Sequence, residues 1–522
     1  MVGLVTDAVT GRPIQGVPVT DGYTFTVTDR NGQYAFKGNS KTRSVYISIP
    51  AEYEIPLDSD HHATYYKNGD FSNTGELYIN NFQLTPRSTV SDKFTLAVAA
   101  DTHVSSDSDL EKFKGRSLPD MISTLNSYCV GEYTDCITIF VGDQLTDNMS
   151  MVQKFKEALS GKTINGRKHT FLTCIGNHDF DAEYITNNSL TVDSYNASKT
   201  FVENFGPTDY SLNIGKAHIV VMNNMMVNAV SESSVQFKQG FTQDQVDWLK
   251  ADLSLVKNPQ DKVVILCVHC PILNNDYLNY SVVKDQLAKF NEAHIVSGHS
   301  HCIKNFKHAK SSVGGSQIYE HNLQMMGGMW WKTNLSVDGS PAGFGLMKFS
   351  GKKLYESINK ATGADLDFQM RVYNGSATYN SFTANAGGSS LHYSGSYNWG
   401  DDLKGKFVAR VWNADADNWT VEFVKDGVSY PMTRLSGQLD ECTFGYSWMF
   451  HDCPGGGSSV YKIYTDSFWV IDAPGGNPAK ETGWKIVATH KPSASRTLTY
   501  ERNVLQTDYS GFAYGASWPT NK

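Results

Sequence analysis

The fold class this sequence predicts is an α/β catalytic domain flanked by two all-β sandwich domains, and three observations predict it. At 522 residues the chain exceeds what one core supports, since single cores stop growing at roughly 250–300 residues. The hydrophobic rhythm changes twice along the chain, from period-two alternation to apolar runs separated by helical patterns, and back. In the middle stretch, five apolar runs each break abruptly into Asp, Asn or His.

Taken in order, residues 1–88 carry short alternating runs such as TFTVTD, QYAFKG, VYISIP and ELYINNFQL. Turn signals such as RNG separate them, which predicts a small antiparallel sandwich. The polar stretch TPRSTVSDK (85–93) contains a proline and reads as a linker. Residues 89–350 alternate short apolar runs with amphipathic patterns such as MVQKFKEAL and TQDQVDWLKADLSLV, the α/β signature. Residues 351–522 turn β-rich again, with KFVARVW, WTVEFV and SVYKIYTD among Gly, Ser, Tyr and Trp, and predict a second sandwich.

Composition narrows the function classes. The formal net charge is −8, with both signs mixed along the chain, so no basic stripe favours a nucleic-acid partner. No apolar run approaches the ~18 residues of a membrane helix. The start, MVGLVTDAVTG, shows no export signal. Two readings stay open there: a cytoplasmic protein, or an exported one whose signal has been removed. The eight cysteines do not read as a disulfide framework, although a Cys442–Cys453 pair across a hairpin is conceivable.

The chemistry lies at the five breaks. FTLAVAA runs into Asp101-Thr102-His103, CITIFV into Gly142-Asp143, and TFLTCI into Gly176-Asn177-His178-Asp179. VVILCV runs into His269, and AHIVS into Gly298-His299-Ser300-His301. Alone, an Asp-Thr-His is an ordinary helix cap beside a surface His, and Gly-Asp an ordinary turn. Together, five polar breaks at strand ends in one domain describe a convergent site, because ligands in open α/β sheets bind outside the carboxyl ends of strands. Imidazole nitrogens and carboxylate oxygens suit a borderline transition metal: Mn, Zn, Fe, Co or Ni. Asp101, His103, Asp143, Asn177, His269, His299 and His301 are too many donors for one ion and fit two sharing a bridging carboxylate. Paired ions suit in-line displacement at phosphorus.

These five blocks, in this order, resemble the calcineurin-like metallophosphoesterases, whose pattern is D-x-H, G-D, G-N-H-[DE], H and G-H-x-H. The resemblance implies an αββα catalytic fold and two divalent metal ions. It assigns Asp101, His103, Asp143 and His301 to the first ion, and Asp143, Asn177, His269 and His299 to the second. A hydroxide bridging the ions would be the nucleophile, and His178 would contact the phosphate and protonate the leaving oxygen. Members often read G-D-x-x-D, the second Asp orienting the catalytic His. Here GDQLTD places Thr146 at that position and Asp147 one later, so either Asp147 reaches His178 or the ring is held otherwise. His294 and His308 fit no ligand slot and read as structural. Cys267, on the face of His269, reads as packing. The segment VTDAVTGRPIQGVPVTDGYTFTVTDRNGQYAFKG is similar to carboxypeptidase-regulatory-like, prealbumin-type sandwiches. YEHNLQMMGGMWW, DGSPAGF and ARVWNADADNWTVEFVKDG resemble the C-terminal module of a three-part bacterial phosphoesterase family whose members are commonly exported. Trp330, Trp331, Glu320 and His321 follow the last ligand closely enough to be candidates for the cleft rim, with aromatic packing between domains the competing reading for the Trp pair.

The expected substrate is a small phosphate ester. Phosphomonoesterases commonly add arginines, because a guanidinium fork matches a phosphate dianion, yet no Arg occurs from residue 168 to residue 370. Arg167 precedes its strand, far from the metal end, and Arg116 is the one plausible exception. The scarcity favours a phosphodiester over a monoester. The motif set is also similar to that of bacterial class III cyclic-nucleotide and glycerophosphodiester phosphodiesterases. A nuclease would want a basic or stacking surface. A non-catalytic surface-binding module remains the rival of another class, though such modules usually lose ligands.

Overall fold

The computed structural model describes residues 1–181, 193–231, 234–273, 276–311, 314–375, 403–435, 438–439, 464–465, 467–507, 510–512 and 514–518. The candidate pair Cys442–Cys453 lies outside them. The other six cysteines are free thiols.

The N-terminal segment folds as two small sheets. One orders Gln33–Ala35, Val2–Asp7 and Phe82–Leu84, and the other Phe25–Val27, Pro18–Thr20, Ser44–Ile47 and Tyr66–Asn68. The RNG turn closes because Asp29 Oδ1 accepts from the Asn31 and Gln33 amides. This sandwich docks on the middle domain. Ile49 bridges Leu212, and the Phe25 ring lies 5.7 Å from that of Trp248.

The middle domain holds two larger sheets. The five-stranded sheet runs Phe171–Cys174, Asp135–Val141, Lys93–Ala99, Gly343–Ser350, Lys353–Ala361, its first three strands parallel. The six-stranded sheet runs Tyr210–Ile214, Ala217–Val221, Val263–Cys267, Glu292–Ser297, Ile318–Asn322, Lys304–Lys307, its four central strands parallel. Alternation along one strand assigns the layers: Leu96 and Val98 join the core shared with Ile265, Cys267 and Ile295 of the facing sheet, while Ala97 and Ala99 pack with Leu118–Tyr128 and Val152–Leu159 helix residues. Helices Gln243–Ser254 and Tyr280–Leu287 cover the other side through Trp248, Leu249, Val283 and Leu287. The order of layers is therefore α/β/β/α.

The boundary expected at residue 350 falls inside this domain. Ser350 pairs with Lys353 in a hairpin whose second strand, Lys353–Ala361, is an edge of the five-stranded sheet. Beyond it, two four-stranded antiparallel sheets form the C-terminal sandwich. Met370–Asn374, Lys406–Val411, Phe468–Asp472 and Thr433–Leu435 make one, and Val428–Pro431, Trp419–Lys425, Trp484–Ser493 and Arg496–Arg502 the other. They share a core that includes Phe407, Trp419, Phe423 and Trp484. Among the described residues no helix is long and apolar enough to cross a membrane.

Candidate metal centre

Five parallel strands from the two middle sheets end at one place. Asp101 and His103 follow Lys93–Ala99, Asp143 follows Asp135–Val141, and Asn177 and His178 follow Phe171–Cys174. His269 follows Val263–Cys267, and His299 and His301 follow Glu292–Ser297. The turns at these ends are tight enough to need unusual backbone. Asp101, His103, Asp143, His299 and His301 all have left-handed φ, between 52° and 63°. Such values are uncommon outside glycine and cluster at functional sites. The glycines of the blocks leave room for the ligands. A Cβ on Gly142 would sit 2.2 Å from His269 Nδ1, one on Gly176 2.2 Å from Asp143 Oδ1, and one on Gly298 2.7 Å from Asp101 Oδ2.

The donor atoms form two groups with one shared member. Asp101, His103, Asp143 and His301 each offer one ligand atom within 4.8 Å of the others, and so do Asp143, His269 and His299. Asn177 Oδ1 joins the second group, 3.1 Å from His269 Nε2. His103 Nε2 and His301 Nε2 stand 3.0 Å apart, about the separation of two nitrogens bound at right angles to one ion at ~2.1 Å.

Protonation decides what this geometry can do. His269 Nδ1 lies 2.9 Å from the Val141 carbonyl, which can only accept, so Nδ1 carries hydrogen and Nε2 points inward. Nε2 faces Asp143 Oδ2 at 3.1 Å, Asn177 Oδ1 at 3.1 Å and His299 Nδ1 at 3.2 Å. Carboxylates buried among these groups favour positive charge beside them. Burial opposes charge on the His269 ring, yet Asp143 and Asp101 outweigh it and raise its pKa to about 9. Burial lowers His103 to about 3 and, with the His269 charge, His299 to about 4, keeping both rings neutral and able to offer a lone pair to a metal. Asp143 Oδ1 accepts from the His178 amide at 2.9 Å. Its Oδ2 is buried and faces the His269 and His103 ring nitrogens at 3.1 and 3.7 Å. The residues fit divalent metal.

Around the ligands stand residues that hold them. Asp147 Oδ1 lies 2.8 Å from His178 Nδ1, reached because Asp147 itself takes φ 51°. Thr146, in the slot before it, meets His103 Nδ1 at 3.0 Å. Burial works against a charged His178, but the bond to Asp147 and the Asp143 charge prevail and raise it to about 9. Asp179 is buried and clamps two blocks together, accepting from the Gly176, Gln144 and Leu145 amides. Asn322 holds the last block by donating to the Gly298 carbonyl and accepting from Ser300 Oγ. Sequence reading gave neither residue a role. Asp179 was visible as the acid of GNHD, whereas Asn322 has no local signal.

The remaining candidates lie elsewhere. Arg116 donates to the Ala516 carbonyl at 3.2 Å and stacks on Tyr514. Arg167 pairs with Asp135, at the opposite end of its strand from Asp143. His321 bonds to His294 and Asn305, and buried Glu320 accepts from the Ile272 and Leu273 amides and from His308. His294 and His308 thus belong to the scaffold, and Cys267 to the core. Trp331 is buried and donates from Nε1 to the His103 carbonyl at 3.2 Å. Trp330 is the half-buried neighbour, its ring centroid 5.7 Å from His301 and 6.2 Å from His103.

Comparison with known proteins matches three consecutive segments of the chain: residues 2–87 to the N terminal of Calcineurin-like phosphoesterase, 94–302 to Calcineurin-like phosphoesterase, and 320–491 to the C terminal of Calcineurin-like phosphoesterase. No curated protein matches. Among solved structures, 63 chains match. One is the phosphopantetheinyl hydrolase PptH from Mycobacterium tuberculosis, 15% identical over 45% of this chain and 91% of that one, with a TM-score of 0.26. Matched in all three of its parts, the chain belongs to the calcineurin-like phosphoesterases, hydrolases of phosphoric esters.

Proposed function

We propose that this chain is a two-metal phosphodiesterase acting on a small organic phosphodiester. The observation that carries the reading is Asp143, a buried carboxylate common to both donor groups, with His269 Nε2 3.1 Å and His103 Nε2 3.7 Å from its Oδ2. Asp101, His103, Asp143 and His301 would hold one divalent ion, and Asp143, Asn177, His269 and His299 the other. Bound there, the ions supply Lewis acidity and make a coordinated water acidic enough to serve as nucleophile near neutral pH. Asn177 and the His178 ring would contact the phosphate. His178, kept protonated by Asp147, gives its proton to the departing ester oxygen, which would otherwise leave as a costly alkoxide.

Diester preference rests on the missing guanidinium. A monoester dianion carries one more charge than a diester, and a bidentate Arg is its usual match. The arginines nearest the ligand blocks in sequence are engaged elsewhere, Arg116 with Ala516 and Tyr514 and Arg167 with Asp135.

Hydrolysis of bis-p-nitrophenyl phosphate and p-nitrophenyl phosphate by chelator-stripped protein, with Mn or Zn restored and Asp143→Asn as control, tests the proposal. The expected result is faster turnover of the diester, dependent on metal and lost in the variant. Faster monoester turnover reverses the preference and leaves a phosphatase. Silence on both substrates after metal loading favours the binding-module reading.

A further inference from the structure

We infer that Glu320 is a positioning residue of the metal centre, its buried carboxylate setting the spacing of His269 and His299 and with it the affinity for the second ion, that of Asp143, Asn177, His269 and His299; this deepens the two-metal reading and rests on it. Glu320 lies in the middle of strand Ile318–Asn322 and is 0% exposed. Four donors converge on it. Oε1 accepts from the Ile272 amide at 2.8 Å and from Ser297 Oγ at 3.0 Å, and Oε2 from the Leu273 amide at 2.8 Å and from His308 Nε2 at 2.9 Å. The two amides belong to the loop that carries His269, and Ser297 ends the strand that leads to His299. One oxygen therefore ties both loops.

Sheet register puts the carboxylate there. Strand Ile318–Asn322 runs parallel to Glu292–Ser297, with Glu320 opposite Ile295 and Asn322 opposite Ser297. Alternate residues of a strand share a face, so Glu320 and Asn322 work side by side: Ser297 Oγ accepts from Asn322 Nδ2 at 3.2 Å and donates to Glu320. A buried carboxylate is costly unless its oxygens are hydrogen-bonded. Here each oxygen has two donors, and His308 is fixed in turn by Tyr280 Oη, 2.9 Å from its Nδ1. Leu273 takes φ 46°, uncommon outside glycine and kept only where the surroundings over-determine it. Other contacts hold these loops differently. Asn224 bonds to the amide and the carbonyl of Cys270, which fixes the His269 loop alone. The Gly298 amide donates to the His269 carbonyl at 2.9 Å, a direct backbone tie between the two blocks, and Glu320 adds a tie further along both. His269 Nε2 stands 3.2 Å from His299 Nδ1. Both nitrogens must reach one ion at ~2.1 Å, so a small shift of either loop is felt at the metal.

Chelator-stripped full chain, equilibrated with Zn at a series of buffered free concentrations and assayed for bound metal by elemental analysis, tests this without turnover. The parent protein should bind two ions, and His301→Ala, which removes a donor of the first group only, identifies the binding step that belongs to each. Glu320→Gln keeps the side chain's shape, but each carboxylate oxygen holds one backbone N–H, so whichever way the new amide is turned its NH2 faces a donor. The expected result is about tenfold weaker binding of the second ion, with the first unchanged. Tyr280→Phe removes only the hydroxyl behind His308 and should weaken the same ion about threefold, which keeps the test open should Glu320→Gln fail to fold. A merely structural role would weaken both ions alike or neither, and either result overturns the inference. If the parent protein binds two ions and the Glu320 and Tyr280 variants match it, this inference alone fails. If the parent protein binds fewer than two, the two-metal reading fails and takes this one with it.

Discussion

His178 Nδ1 and Asp147 Oδ1 lie 2.8 Å apart, and this one contact sets the pH range over which the ring can act as an acid. Burial disfavours its charge, but Asp147 and Asp143 raise the pKa to about 9. A raised pKa means the proton is held through neutral pH and lost as pH rises through the raised value. Asp147→Asn should therefore move the alkaline limb of the kcat profile to lower pH. Loss of the acid should cost about 10²-fold in kcat on alkyl esters, and far less on p-nitrophenyl esters, whose leaving group departs without a proton. A profile identical to that of the parent protein would separate Asp147 from the chemistry. At this scale the clustering of the donor residues is legible in the sequence because each block is contiguous and fixed to a strand end. The Asp147 contact is not, because GDQLTD is one residue out of register until the φ of 51° at Asp147 is known. Nor is Asn322, whose partners Gly298 and Ser300 are distant in sequence.

The strand-to-loop turns are the next scale, and their glycines are where the fold and the site meet. Gly142 has φ 90°, and a Cβ there would stand 2.2 Å from His269 Nδ1, the atom that donates to the Val141 carbonyl. Gly142→Ala must displace either the turn or the imidazole, and the imidazole is the movable one. Losing the bond that orients a ligand ring lowers metal affinity by about 10–100-fold. The expected outcome is a protein with native circular dichroism and reduced bound metal after dialysis, measured by elemental analysis. Full metal content would show that the turn absorbs the methyl group. Element types were readable here because period-two and 3.6-residue patterns occupy separate stretches. The edge of the middle domain was not, since the hairpin Gly343–Ser350 and Lys353–Ala361 has the same alternating pattern as the sandwich that follows. Its pairing with Lys93–Ala99 is a long-range fact.

For the whole molecule, the C-terminal sandwich acts on the site through a buried ion pair. Asp338, in the stretch that follows the Trp pair, is 1% exposed at its side chain, and Arg410, on strand Lys406–Val411, is fully buried. Asp338 also accepts from the Ile303 amide at 3.1 Å, just beyond His301, so three parts of the chain meet at one carboxylate. Arg410→Met leaves that carboxylate buried without its counter-ion, which costs about 3–5 kcal/mol. For a domain of this size the loss lowers the unfolding transition by roughly 6–20 °C. Pairing Arg410→Met with Asp338→Asn removes the stranded charge, and an amide oxygen can still accept from Ile303. The double variant should recover most of the stability, because an ion pair replaced on both sides is often close to neutral. Equal destabilisation in the single and double variants would mean that the cost lies in packing around Arg410. In that case the ion pair would no longer account for how the sandwich holds the loop over the metal centre.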